Sequence, residues 1–130
     1  MRLLDGLKWP VVALIATGML HLGAEAARPD LHDDFGPTMV GAILLVYGLW
    51  IGYALVGRGL PASSGVVAGA IVGLLPLALD VVGFGLILGR GLDAGLTAGL
   101  FGFLVVVFGS LAGAAFAASR GGPATGRERA

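Results

Sequence analysis

The sequence predicts an all-α fold, an integral membrane bundle of four transmembrane helices with both termini cytoplasmic. Three observations carry that prediction. First, 57% of the 130 residues are hydrophobic and 12% are charged, about half the charged share of a soluble domain. Second, four stretches reach the roughly 20 mostly apolar residues that a membrane crossing needs. Third, the cationic residues are unevenly placed between those stretches. Arg2, Lys8, Arg58, Arg120, Arg127 and Arg129 fall on one side, Arg28 and Arg90 on the other. Cytoplasmic loops carry the excess of Lys and Arg.

The first span is expected over Trp9–Ala27, with Trp9 at the inner boundary and Pro10 in the first turn. Proline fits there because the first N–H groups of a helix lack an intrahelical partner. This segment has a second reading. Met1-Arg2 and Lys8 form a basic start, Trp9–Leu22 an apolar core, and Ala24-Glu25-Ala26 matches a signal-peptide cleavage pattern. Removal of residues 1–26 would leave three spans.

The second span is expected over Pro37–Gly57, the third over Pro61–Gly89 and the fourth over Leu92–Ser119. Pro37 and Pro61 mark two starts, while Arg58-Gly59 and Gly89-Arg90-Gly91 mark short breaks. Residues 120–130 read as a disordered tail, which leaves a single membrane domain.

Glycine accounts for 24 residues, well above its usual share of about 7%. In the third span Gly65, Gly69, Gly73, Pro76, Asp80 and Gly83 follow at steps of 4, 4, 3, 4 and 3. Such steps keep all six on one helical face. The fourth span repeats the pattern with Gly91, Gly95, Gly99, Gly102, Gly109 and Gly113, Val106 filling the gap. A shift of 26 residues superposes the two stripes and sets Asp80 opposite Val106. A duplicated helix and independent selection for small residues explain this equally well. Small residues let membrane helices approach closely, so both stripes are expected to be packing faces. Gly41, Gly48 and Gly52 form a weaker stripe in the second span.

Asp80 is the outstanding polar residue. An ionisable group at membrane depth is costly and usually turns inward to a partner or a pathway. Pro76, four residues earlier, lacks the N–H that would bond the Val72 carbonyl. It is expected to break or kink the helix and expose backbone near the carboxyl. Two roles stay open for Asp80. It is either a proton- or cation-responsive carboxylate, or a structural carboxyl bonded to Tyr47, Thr97, Thr17 or His21. His21 and Asp80 lie at similar depths, about 9 and 14 Å from the outer end at 1.5 Å per residue, so two readings stand for His21: a contact with Asp80, or an interfacial histidine bonded to water or a lipid headgroup. Tyr47 lies near mid-bilayer, where its hydroxyl needs a partner.

The outer loop carries Asp30, His32, Asp33 and Asp34. This set is a weak metal candidate, since its spacing matches no EF-hand or zinc-protease motif. Capping of the second span, with Asp34 favoured, is the expected use.

Zero formal net charge argues against a nucleic-acid partner. The absence of cysteine removes disulfides and thiolate chemistry. No nucleophile–base pair, phosphate loop or dinucleotide fingerprint stands out, so neither an enzyme nor a bound cofactor is expected. The expected partners are the lipid bilayer and either further copies of the chain or a larger membrane protein. The expected location is the plasma membrane. The sequence favours an accessory or structural subunit that packs through its glycine faces. The alternative is an oligomeric small transporter or channel working through Asp80.

Overall fold

The computed structural model describes the backbone of residues 2–129 and the side chains of residues 5–28, 30 and 38–120. The chain is all-helical. α1 spans Arg2–Ala27, α2 Pro29–Gly57, α3 Ser63–Leu79 and α4 Leu92–Arg129; a π-helix, Asp80–Ile87, continues α3. Among the described residues, four helices are long and apolar enough to cross a membrane: Asp5–Ala27, Thr38–Gly57, Ser63–Ile87 and Leu92–Arg120. The end holding residues 5 and 58 is here called proximal, and the end holding residues 28 and 90 distal.

Two helices begin earlier than their prolines suggest. α1 runs through Pro10 back to Arg2. Tertiary packing accounts for the extension, because Leu7 is buried and a Cβ on Gly6 would meet Leu55 and Arg58. α2 starts at Pro29, not Pro37. Proline disfavours helical geometry in the residue before it, and Arg28 stands at φ −139°, ψ 73°. The expected outer loop thus shrinks to Arg28, and Asp34 falls inside the helix instead of capping it. The α2 N-terminus has no side-chain cap. Asp30 occupies its first turn, where the helix dipole favours an anion. α4 continues through the residues expected as a disordered tail, to Arg129, and the side chains beyond residue 120 lie outside the described residues.

The turn after α2 closes by a Schellman pattern. The Gly59 N–H bonds the Val56 carbonyl and the Leu60 N–H the Leu55 carbonyl. Gly59 takes φ +87°, a conformation that suits a residue without a Cβ. Leu60 then packs against the core.

α4 is the central helix, packing extensively on α2 and α3, whereas α1 lies on α2 and only lightly on α3. At the proximal half, α2 and α4 meet backbone to backbone. A Cβ on Gly48 would stand 2.7 Å from the Val106 carbonyl oxygen, and one on Gly109 2.9 Å from that of Leu45. At Gly52 and Gly113 a Cβ would overlap the backbone carbonyls of Ser110 and Leu49. Towards the distal half the two helices part, and the Phe101 ring fills the space beside Gly41.

The α3 glycines face α4: Gly65 meets Ala114 and Ser110, Gly69 meets Ser110 and Val107, and Gly73 meets Phe103. Gly83 meets Leu22 of α1. On α4 the stripe serves two neighbours in turn. Gly95 and Gly99 touch the α3–π element, Gly102 touches both Pro76 and Leu44, and Gly109 and Gly113 touch α2. The core of Leu14, Leu44, Ile51, Leu55, Val72 and Val106 lies largely at the proximal and middle levels. Val106, the counterpart of Asp80 in the 26-residue shift, is fully buried there.

Gly52→Ala should destabilise the bundle by about 1–3 kcal/mol through overpacking. Gly23→Ala, where a Cβ would meet nothing within 4 Å, should be neutral or stabilising; chemical denaturation in detergent compares the two. Ser110 is fully buried and, among the described residues, its hydroxyl has no hydrogen-bond partner. Ser110→Ala should therefore hold or raise stability, by up to about 1 kcal/mol, in the same assay.

Candidate functional site

The distal splay of α2 from α4 leaves two cavities that meet at Asp80. The first, about 260 Å³, lies between α1, α2 and the end of α3, among Leu14, Val40, Ile43, Leu44 and Leu79. The second, about 590 Å³, lies between α2, the π-helix and α4, beside Phe84, Ala94, Thr97, Ala98 and Phe101. His21, Val40, Leu44 and Asp80 line both.

Asp80 stands where the helix changes type. The chain does not break at Pro76, because α3 continues to Leu79 with Pro76 buried in its interior against Gly102. The departure from α geometry comes four residues later, as a π-helix of 8 residues. Its wider turn shows in the closing bond, which spans five residues from the Leu88 N–H to the Gly83 carbonyl at 2.9 Å. π turns inside helices are rare and recur at functional sites. A wider coil needs room on its inner side. Gly85 and Gly95 provide it, since a Cβ on Gly95 would lie 2.8 Å from the Asp80 carbonyl oxygen and 3.0 Å from Gly85 Cα. The Asp80 backbone thus lies against α4, and its carboxyl lines the cavities.

That carboxyl is half-buried and, among the described residues, makes no hydrogen bond or ion pair. The hydroxyls expected to serve it are engaged elsewhere. Thr17 donates to the Ala13 carbonyl at 2.8 Å, and the Thr17 and Tyr47 hydroxyls lie 2.6 Å apart. With the Thr17 proton on Ala13, Tyr47 is the donor of that pair. Thr97 donates to the Asp93 carbonyl at 2.8 Å. His21 shares both cavity walls with Asp80, but the expected contact is a common wall and not a hydrogen bond. Tyr47 lines the first cavity and stacks on Trp50 at 6.3 Å between ring centroids.

An ion pair closes the distal end of this region. Arg90, in the turn before α4, donates to Glu25 near the end of α1. The Glu25 side chain is 1% exposed and that of Arg90 38%. The Arg90 guanidinium also lies 5.7 Å from the centroid of the Phe84 ring, a favourable cation–aromatic placement. Sequence reasoning missed this pair. Its one signal was Glu25 lying four residues past His21, hence on the same face of α1; nothing local linked it to Arg90. Arg28 and Asp30 form a second, exposed pair at 2.9 Å. The hydrogen bond from Arg28 to Asp30 pushes the Arg28 pKa up, though so exposed a pair adds little stability.

Of the weak metal set, Asp30 is paired with Arg28, and the side chains of His32, Asp33 and Asp34 lie outside the described residues. Among the described residues no three His, Asp or Glu side chains converge as a metal site.

No protein-family model, curated protein or solved structure matches the chain. The class that fold and site define is an all-helical bundle with, among the described residues, four segments of membrane-crossing length and a cavity system lined by the Asp80 carboxyl.

Replacing Arg90 by Ala removes the cation that stands against the buried Glu25 carboxylate. The loss should be below the roughly 3–5 kcal/mol of a fully buried pair, because Arg90 is 38% exposed. The double variant Glu25→Gln/Arg90→Ala should recover part of it; thermal unfolding followed by circular dichroism measures both.

Proposed function

We propose that the protein is a small multi-pass membrane transporter or channel subunit in which Asp80 is the proton- or cation-responsive site. The carrying observation is the Asp80 carboxyl, unpartnered among the described residues and lining both cavities with His21. Carboxylates at membrane depth recur in proton relays and ion pathways. A second carboxylate, the exposed Asp93, lines the distal cavity together with Thr97. Asp93 and Asp80 therefore mark a route from the distal face into the bundle. Beyond Asp80 the proximal half is filled by Ile51, Leu55, Val106 and the glycine contacts. Access from one side at a time is what alternating-access transport uses.

In this reading the proximal end, with both termini, is cytoplasmic, as the excess of Lys and Arg there favours. The membrane is the plasma membrane, and the working unit holds two or more copies. A second reading, an accessory subunit of a larger membrane protein built on glycine packing, is favoured by the loose seating of α1. That seating leaves α1 available to a partner helix.

Proteoliposomes loaded with a pH-sensitive dye separate the two readings. Flux in the wild type, lost in Asp80→Asn and reduced in Asp93→Asn with folding and oligomer size retained, is the expected result. Equal flux in wild type and Asp80→Asn would sink the transporter reading. Silence towards protons and Na⁺, with a stable co-purifying membrane protein, would favour the accessory subunit.

A further inference from the structure

We infer that the first cavity is a binding site for a lipophilic monocation, an ammonium or phosphonium with an apolar body, that enters sideways from the bilayer. This rests on the reading of Asp80 as the working carboxylate and specifies what it meets.

The walls set the body of the ligand. Leu14, Val40, Ile43, Leu44 and Leu79 offer it no polar atom. The hydroxyls of Thr17 and Tyr47, which also reach this cavity, are spent on each other and on Ala13. His21 and Asp80 are the further polar groups on the lining, so a hydrophilic solute would exchange most of its hydration for apolar wall, which is unfavourable. An apolar body loses nothing on leaving lipid for such walls.

Asp80 sets the charge. A carboxylate with no cation beside it among the described residues attracts a positive ligand and repels a negative one. The aromatic rings add to this preference. Tyr47 lines the first cavity, and Phe101 lines the adjoining one; ring faces stabilise a desolvated cation. The carboxylate of Asp93 on the same adjoining wall acts in the same sense.

The mouth sets the route. Leu20 of α1 and Met39 of α2 line the first cavity and are 75% and 56% exposed. Both lie inside the membrane-length segments, so the opening between them faces acyl chains. The volume of about 260 Å³ is small for a drug-sized pocket, typically about 300–1,000 Å³. The shared wall at Asp80 lets a larger body extend into the second space of about 590 Å³.

Tetraphenylphosphonium and tetraphenylborate match in shape and differ in the sign of charge. Binding of each to the protein in lipid nanodiscs, measured by equilibrium dialysis against empty nanodiscs, tests the assignment. Saturable phosphonium binding, weakened about tenfold or more in Asp80→Asn, is expected, with no saturable borate binding and no competition by tetramethylammonium. Ile43→Trp, which fills the cavity and leaves the carboxyl in place, should also abolish phosphonium binding. Helical circular dichroism and elution volume verify that both variants fold. Unchanged phosphonium binding in both variants, or equal saturable binding of the borate, overturns the inference. Asp80-dependent proton flux without phosphonium binding overturns the ligand class and leaves the transporter reading standing. Independence of Asp80 in both assays overturns both.

Discussion

Contact between the backbones of α2 and α4 constrains the rest of this bundle. Gly48, Gly52, Gly109 and Gly113 lie where any Cβ would crowd the facing chain. In lipid, helices do not gain by burying apolar side chains against each other, so close approach and van der Waals fit matter most. The two helices are held tightly at that level. They part towards the distal end, where Phe101 separates them at Gly41. The cavities lie on that side, and the filled core lies on the other. Closure at one end thus accompanies space at the other.

The π-helix adds a second geometric effect at the same level. Its wider coil sets the Asp80 backbone against α4 through Gly85 and Gly95. The carboxyl is thereby directed to the space between α1, α2 and α4. Pro76 stands one turn earlier and is tolerated inside α3. Membrane helices accept such residues where neighbouring turns adjust their hydrogen bonding. The two special backbone features therefore follow in series, and the ionisable residue stands where the second begins.

Much of the architecture was legible in the residues themselves. Four long apolar segments appear because membrane-crossing length and composition are local properties, read without knowledge of neighbours. The inward face of the third span was also legible, since 3.6-residue spacing places Asp80 with Gly73 and Gly83. Boundaries were less so. Pro10 and Pro37 read as helix starts, yet Leu7 and Gly6 hold α1 helical further back through packing on α2, and Pro29 supplies an earlier start for α2. The site was legible in its residues but not in its bonds. Asp80, His21 and Tyr47 do gather at one cavity system. That Tyr47 bonds Thr17 depends on the relative rotation of α1 and α2, which no periodicity encodes. The π-helix likewise left no signature beyond the nearby Gly83 and Gly85.

The light seating of α1 bears on how the molecule is assembled. Two polar side chains of α1 meet later elements: the Thr17 hydroxyl lies against that of Tyr47 in α2, and Glu25 pairs with Arg90 before α4. Glu25 meets its cation 65 residues further along the chain. The first cavity is walled by α1, α2 and the end of α3, so its shape depends on the seat that α1 takes.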